Sequence, residues 1–384
     1  MNILILNYEY PPLGGGAGIV TQHLANEFIL KNHKVTILTT WFTGEPEYHA
    51  DHNMTIIRLI SKRKYSYQSN PFEMYDWMIK AKTYVINHFY YRQFDICLAN
   101  FTLPCGEVAR YLKMKLHLPY VILSHGHDIP WFSPKQMFFW HLLCYSFIKK
   151  IMMESHNNIL LTDSLKLKAD KFLGYKYSEK NKVIPNGVLI FDVRKGFNSK
   201  DIVLNALFVG RLVDQKDPLT VVRGFQKLQE NNIPIHLKII GDGNLKEETE
   251  AFISKYQLKN VDVLGKISQS KVMEEYSKAH ILIAPSRDEA MSLSVLEALS
   301  CGLYVFATEV SGNKELINNH VNGSFVEYGN PNDVSDKIIF FYKEKFMKDY
   351  QYPDKLIESL LQNYSWKITA EKYLLIFENI LSNN

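Results

Sequence analysis

The chain has 384 residues, of which 46% are apolar and 22% charged, so it can build cores for two ordinary domains and is not a disordered chain. It has no run of 18 apolar residues, and a membrane-spanning helix is not expected. The formal charge of +4 is uneven: residues 1–190 hold 21 Lys and Arg against 14 Asp and Glu, or +7, which leaves 23 against 26, or −3. The basic half therefore faces either an anionic partner or only solvent.

The first predicted element is a strand, "NILILN" (2–7). It is too short for a secretory signal, has no basic region before it, and runs directly into a Pro/Gly turn, so we expect a cytoplasmic protein. The cysteines are Cys97, Cys105, Cys144 and Cys301. They are widely spaced without a C-x-x-C pair, which argues against disulfides and structural zinc and predicts buried thiols.

Short β-branched runs then alternate with helix-length segments along the whole chain. In the first half they are "KVTILTT" (34–40), "TIIRLI" (55–60), "DICLAN" (95–100), "YVILSHG" (120–126) and "NILLTD" (158–163). The rhythm restarts with "ALFVGRL" (206–212), "IHLKIIGDG" (235–243), "VDVLG" (261–265), "HILIAPS" (280–286) and "LYVFATE" (303–309). This alternation predicts two Rossmann-like α/β domains with doubly wound parallel sheets, residues 1–190 and 191–363, joined within 186–201. We expect the ligand in a cleft where the two sheets face each other.

The segment "MFFWHLLCYSFIKKIMM" (137–153) interleaves aromatic residues with a His and a Lys pair. It fits a core-facing helix with a basic end. It also fits a segment that dips into an anionic membrane face beside the basic half of the chain.

The Gly-rich turn in "EYPPLGGGAGIVTQHLANEF" (9–28) opens a predicted helix. Uncovered backbone N–H groups at such a helix start favour an anion such as phosphate, which makes Gly15 and Gly16 candidate contacts. Ile19 stands where a dinucleotide fingerprint needs its third Gly, which disfavours a dehydrogenase.

Other candidate residues also follow strands, where open parallel sheets bind their ligands. His125 and Asp128 follow "YVILS", and we expect Asp128 on the acceptor side. Gly210 and Arg211 follow "ALFV", with Lys216 five residues further on, and Gly241 follows "LKII". The planar fork of Arg211 and the point charge of Lys216 suit a diphosphate.

The stretch "EAMSLSVLEALSCGLYVFATE" (289–309) places Glu289 and Glu297 eight positions apart. Ser292 or Ser294 is a suitable N-cap for "LSVLEALS", whose first N–H groups could meet phosphate oxygens. The two carboxylates could then accept hydrogen bonds from sugar hydroxyls. Alternatively, Glu297 only interacts with the helix dipole and Glu289 is a solvated acid in a loop.

The chain as a whole resembles the retaining nucleotide-sugar glycosyltransferases of the GT-B fold, most closely glycosyltransferase family 4. The matching stretches are "PPLGGGAGIV", "SHGHD", "VIPNGV", "VGRLVDQK", "IGDG", "PSRDEAMSLSVLEALSCGLYVFATEVSGNKELI" and "YSWKITAEKY". They occur in the order of the family and cover nearly the whole chain. The last helix, about residues 366–381 within a segment 364–384, would accordingly pack back on the first domain.

The resemblance implies transfer of a sugar from a UDP- or GDP-sugar to a glycan or lipid-linked glycan. In it Arg211 and Lys216 neutralise the diphosphate, Glu297 holds the ribose hydroxyls, and Glu289 contacts the transferred sugar. His125 stands beside that sugar, and the Gly15-Gly16 turn closes over the diphosphate. The backbone N–H groups of Met291, Ser292 and Leu293 also lie near the donor.

The sequence "D-x-D", which would hold a divalent metal between phosphates, does not occur, so we expect neither metal nor cofactor. A nucleotide-sugar epimerase or phosphorylase on the same scaffold is the alternative enzyme, and a non-catalytic sugar-binding protein is the alternative outside enzymes. No nucleic acid is expected as a partner. A lipid-linked acceptor would place the protein at the inner face of a membrane.

Overall fold

The chain forms two compact units, one made of Met1–Gly187 with Trp366–Asn384 and the other of Val188–Ser365. The computed structural model describes residues 1–132, 134–189, 202–348 and 350–383, the side chains of residues 134–137 excepted. The predicted domain boundary at 190/191 and most of the predicted join lie outside the described residues.

The described part of the first unit holds an eight-stranded sheet in the order β3-β4-β2-β1-β5-β6-β7-β8. Its strands are β1 Asn2–Leu6, β2 Lys34–Thr40, β3 Tyr48–Asp51, β4 Met54–Leu59, β5 Ile96–Asn100, β6 Tyr120–Leu123, β7 Asn157–Leu160 and β8 Asn181–Val183. All neighbours pair in parallel except β3 with β4. The inner strands are almost continuously apolar because helices cover both faces of a parallel sheet.

The helices of the first unit are α1 Gly16–Leu30, α2 Pro71–His88, α3 Glu107–Leu116, α4 Pro134–Glu154 and α5 Asp163–Leu173, with α13 Trp366–Ser382 from the chain end. A capping box of Asn70 and Glu73 starts α2, with Pro71 in its first turn. The ring of Phe28 on α1 packs against Phe377 on α13 at 5.9 Å between ring centroids. The last helix thus belongs to the core of the first unit.

The described part of the second unit holds a six-stranded, all-parallel sheet in the order β11-β10-β9-β12-β13-β14. Its strands are β9 Leu204–Val209, β10 Ile235–Ile240, β11 Val261–Gly265, β12 Ile281–Ala284, β13 Tyr304–Thr308 and β14 Gly323–Val326. Its helices are α6 Pro218–Glu230, α7 Lys246–Lys255, α8 Gln269–Lys278, α9 Leu293–Ser300, α10 Ser311–Leu316, α11 Pro331–Glu344 and α12 Asp354–Tyr364. The predicted pair of doubly wound parallel sheets is confirmed.

Three strands were not predicted: β3, β8 and β14. The strand β3 is exposed at all four residues and has no apolar alternation to reveal it. The strand β8 has only three residues, and β14 begins with Gly323 and Ser324, which do not favour strands. Of the four free cysteines, Cys144 alone is half-buried rather than buried.

Candidate active site

The strand order of the second sheet reverses between β9 and β12. The chain runs outward from β9 to β11, returns to β12 beside β9, and continues to β14. Open parallel sheets bind ligands beyond the carboxyl ends of the strands at such a reversal. The loop 210–217 follows β9 and the loop 285–292 follows β12, so the predicted donor residues of this unit, except Gly241 after β10, lie in these loops or on the helix α9 that follows the second.

Buried Gln215 ties these two loops together. Its backbone oxygen accepts from the N–H of Arg287 at 2.8 Å, and its side-chain Nε2 donates to the carbonyl of Asp288 at 2.9 Å. Its Oε1 accepts from Nη2 of Arg211 at 3.0 Å. The guanidinium of Arg211 is thereby oriented by a residue of its own loop that is itself anchored to the loop after β12, a role for Gln215 that the sequence alone did not indicate.

The predicted diphosphate ligand Lys216 and the predicted sugar ligand Glu289 form an ion pair with each other through Nζ and Oε1. Their side chains are only 17% and 11% exposed. An enclosed pair loses less to solvent screening than a surface pair does. The pair fixes the carboxylate of Glu289 beside the loop 210–217, which carries Arg211 and Lys216.

Gly241 and Gly243 allow two backbones to lie on each other. A Cβ at Gly241, whose φ is +146°, would stand 1.8 Å from the carbonyl oxygen of Gly210. A Cβ at Gly243 would stand 2.3 Å from the carbonyl oxygen of Leu212. The loop 210–217 packs directly against the turn after β10. This close approach explains why Gly241 is required, whether or not it contacts a ligand.

Replacing Gly241 by Ala is therefore expected to lower the thermal unfolding midpoint by on the order of 10 °C, because both the backbone conformation and the space are denied to a side chain. Gly329→Ala is the matched control, since Gly329 has a φ of +69° but nothing within 4 Å of its Cβ position. Equal shifts in differential scanning fluorimetry would mean that the contact with Gly210 costs nothing.

Helix α9 begins at the loop after β12 with Ser292 as its N-cap. No side chain caps this helix, and its first turn contains no Asp or Glu. The first N–H groups of an α-helix have no acceptor within the helix and carry the positive end of its dipole. The start of α9, with Leu293 as its first residue, can therefore bind an anion.

Glu297 lies one turn further along α9 and is half-buried. Nε2 of Gln269 donates to its Oε1 at 2.8 Å. Burial raises the pKa of Glu297 to about 7, against the hydrogen bonds of Gln269 and Tyr276, which lower it. The carboxyl thus changes charge near neutral pH.

Gly312 lies in the first turn of α10, against the loop 285–292, and was not singled out from the sequence. A Cβ on it would stand 2.5 Å from the carbonyl oxygen of Ala290 and 2.5 Å from Cα of Met291. Only Gly allows α10 to support the loop this closely, which sets where the N–H of Met291 lies.

The Gly-rich turn of the first unit is held by Arg63, a residue the sequence did not indicate. Its enclosed guanidinium donates to Glu9 Oε1 and to the carbonyl of Ser66, each at 3.3 Å. The N–H of Gly14, whose φ is +75°, donates to the same Ser66 carbonyl at 2.7 Å. Gly15 is the N-cap of α1 without a side-chain cap, and Gly16 is the first helical residue.

His125 lies beyond the carboxyl end of β6, and its ring is held by a chain of buried side chains. Its Nε2 is 3.0 Å from Oδ1 of Asn100, which also accepts from Thr21 at 3.2 Å, while Asn7 donates to Thr21 at 2.7 Å. An amide oxygen only accepts, so this network assigns the proton to Nε2 and leaves Nδ1 with its lone pair. Burial lowers the pKa of His125 to about 4, against the nearby charge of Asp128, which raises it, and the ring is neutral at pH 7.

Asp128, predicted on the acceptor side, is engaged within its own unit. It accepts hydrogen bonds from N and Oγ1 of Thr102 at 3.0 and 3.1 Å and from Oγ of Ser124 at 2.7 Å. These bonds join the helical turn Phe101–Gly106 after β5 to the loop after β6 and leave the carboxylate less free for an acceptor hydroxyl.

Family models match both halves of the chain. Residues 192–359 match the model described as glycosyl transferases group 1, and residues 14–189 match the model of glycosyltransferase family 4. The chain belongs to the group 1 glycosyltransferases, of the family 4 type. The resemblance noted from the sequence motifs is confirmed.

Relatives of this glycosyltransferase include an uncharacterized glycosyltransferase of Methanocaldococcus jannaschii, 28% identical over 88% of each chain. The gpi3 subunit of phosphatidylinositol N-acetylglucosaminyltransferase from Schizosaccharomyces pombe is 28% identical over 53% of this chain and 44% of its own length.

Solved structures show the same GT-B fold. Sucrose-phosphate synthase from Thermosynechococcus elongatus superposes with a TM-score of 0.82 at 16% identity, with 100% of each chain covered. Anabaena HepE in complex with UDP-glucose superposes with a TM-score of 0.73 at 16% identity, again with 100% of each chain covered.

Among the residues that the structure describes, this glycosyltransferase has no group of three His, Cys, Asp or Glu side chains suited to a metal ion. Of the charged side chains at the reversal of the second sheet, those that the sequence predicted as donor contacts are Arg211, Lys216, Glu289 and Glu297. Any positive charge that these residues of the second unit bring to a ligand comes from the two cations and the start of α9.

Proposed function

We propose that this glycosyltransferase transfers a sugar, with retention and without a bound metal, from a nucleoside diphosphate sugar to a glycan or lipid-linked glycan. The observation that carries the proposal is the convergence of Arg211, Lys216, the start of α9 and Glu297 at the strand reversal of the second unit. Together they offer cations and N–H groups for a diphosphate and a carboxylate for a ribose.

The diphosphate part of the proposal rests on charge. Departure of a nucleoside diphosphate places growing negative charge on the leaving oxygen, and pre-placed positive charge there lowers the barrier. Gln215 holds the fork of Arg211 ready, and the ammonium of Lys216, which pairs with Glu289, has further N–H donors for a phosphate. Structural neighbours support the donor class, since HepE has been solved in complex with UDP-glucose.

The ribose part rests on Glu297. A carboxylate accepts hydrogen bonds from two vicinal hydroxyls better than a neutral carboxyl does. Because its pKa is raised to about 7, the carboxyl is mostly protonated at pH 6 and mostly ionised at pH 8. Nucleotide affinity should accordingly rise over this interval.

Retention is proposed to occur on one face of the sugar, with the departing phosphate taking the proton of the acceptor hydroxyl. A covalent intermediate on Glu289 is the other route to retention. The ion pair between Glu289 and Lys216 supports the first route, since a cation bound to the carboxylate weakens it as a nucleophile.

The experiment is a thermal-shift panel with UDP, GDP, ADP and their sugars, with EDTA and, in a parallel series, without it, at pH 6 and pH 8. One nucleotide family should stabilise the protein, more strongly at pH 8, by several degrees at a concentration 100 times its Kd. Glu297→Ala should lose most of this shift, and the exposed Glu358→Ala, in the same unit, should keep it.

Four results would count against the proposal. Absence of any shift would remove the donor site, and a full shift in Glu297→Ala would remove the ribose role. A shift that EDTA abolishes would show that a metal is needed. Consumption of the donor without any acceptor would favour an epimerase or a hydrolase.

A further inference from the structure

Helix α4 has a buried half and an exposed apolar half. In its second half Ile148, Ile151 and Met152 are buried, as a core-facing helix requires. Its first half exposes four large apolar side chains: Phe138 by 54%, Phe139 by 65%, Leu142 by 60% and Leu143 by 67%. The spacing of these four places them on one side of the helix. The core-facing interpretation of 137–153 therefore describes the second half of α4 and not the first.

Helix α2 carries a second exposed apolar stripe. Phe72 is 75% exposed, Tyr75 59%, Ile79 46% and Ile86 42%. Steps of three, four and seven residues separate them, which keeps them on one side of the helix. The opposite side is buried and consists of Glu73, Trp77, Ala81 and Val85.

The two stripes adjoin. The ring of Phe72 on α2 stands edge-on to that of Trp140 on α4, with 6.0 Å between the ring centroids. We call the eight exposed side chains of the two stripes the α2/α4 surface. Contiguous apolar surface of this kind marks a binding site rather than ordinary solvent-exposed protein.

The charges around the α2/α4 surface are positive. Lys149 and Lys150 follow the exposed apolar side chains on α4, and Lys62 and Lys64 precede α2. Arg58 and Arg63 contribute no charge to the surface, because both are buried and paired with acids. Lys62, Lys64 and Lys150 are exposed. The acid on the next turn of α2, Asp76, pairs with Lys80 at 3.0 Å. An apolar face with a cationic surround is complementary to an anionic lipid surface.

We propose that the α2/α4 surface docks the protein onto a bilayer that contains anionic lipids, with the apolar side chains in the interface and the lysines at the headgroups. None of the described helices is long and apolar enough to cross a bilayer, so the docking is peripheral. A second copy of the chain fits the surface less well, because it would bring two sets of lysines together without acids to pair them. The inference rests on the proposed function in that a lipid-linked acceptor would be reached from this surface.

The test is sedimentation of the full-length protein with phosphatidylcholine vesicles and with vesicles containing 30% phosphatidylglycerol, at low salt, about 20 mM. Binding is expected only with the anionic vesicles and should weaken about tenfold in 200 mM salt. Phe139→Ser and Leu143→Ser should each weaken it about tenfold, since each removes a side chain that the interface buries.

Phe340→Ser is the matched control, because Phe340 is 60% exposed on α11 of the other unit, and it should bind like the wild type. No binding by the wild type, or equal loss in Phe340→Ser, would overturn the inference. So would a dimer that Phe139→Ser dissociates in analytical ultracentrifugation while vesicle binding stays unchanged.

The nucleotide thermal shift, measured on the same variants, separates this inference from the proposed function. If the nucleotide-induced thermal shift is retained but the protein does not bind vesicles, only the docking surface is disproved. If the protein binds vesicles but no nucleotide shifts its melting temperature, only the proposed donor site is disproved.

Discussion

Replacing Arg211 by Ala is expected to lower kcat about a thousandfold, the largest effect in the second unit. The guanidinium is proposed to meet negative charge that grows on the leaving diphosphate, so its contribution belongs mostly to the transition state. Gln215 orients it at 3.0 Å without neutralising it. Arg211→Lys keeps the charge but loses the fork, and should recover only part of the rate.

Steady-state transfer to an acceptor, with kcat and KM measured separately, checks this expectation. Arg223→Ala is the control, because Arg223 is an exposed Arg on α6 of the same unit. A raised KM with an unchanged kcat would show instead that Arg211 binds donor and transition state equally well.

The fold was readable from the sequence because its inner strands are mostly buried on both faces. Runs such as Lys34–Thr40 and Tyr304–Thr308 are β-branched or aromatic nearly throughout, since both faces of a parallel sheet are covered. The strands that were missed lie at or near sheet edges, where burial imposes no such composition.

The candidate site was only half readable. Residues such as Arg211 and Glu297 stand directly after strands or at a helix start, which local pattern indicates. Local pattern does not indicate their hydrogen-bond partners. Gln269 lies 28 positions before Glu297, and Gln215 reaches Asp288 across 73 positions. A polar residue on a loop carries no sign of which distant group it will meet.

The ion pair of Lys216 with Glu289 illustrates the same limit. Each residue was assigned a separate ligand from its position along the chain, and the fold brings them together across 73 positions. The exposed apolar side of α2 was not predicted for another reason. The helix "PFEMYDWMIKAKTYVINH" is of moderate polarity, and which of its apolar side chains are exposed depends on what α2 packs against.

Replacing Asn100 by Leu is expected to lower kcat on the order of a hundredfold, with the nucleotide thermal shift unchanged, because the charged side chains proposed to bind the diphosphate and the ribose lie in the second unit. Asn100 Oδ1 fixes the Nε2–H tautomer of His125, at 3.0 Å. The family resemblance implies that His125 stands beside the transferred sugar, and the other tautomer would present an N–H where the wild-type ring offers the lone pair of Nδ1.

Asn100→Asp separates this role from simple packing. It keeps an acceptor for Nε2–H but adds a negative charge, which must raise the pKa of His125 from its value of about 4. The wild-type ring is neutral above pH 5, whereas in Asn100→Asp the rate should fall as the pH drops through the raised pKa. The pH profile of kcat checks this, with the melting temperature of each variant as the folding control. Identical profiles in the wild type and Asn100→Asp, together with a normal rate in Asn100→Leu, would mean that the tautomer of His125 does not matter to the reaction.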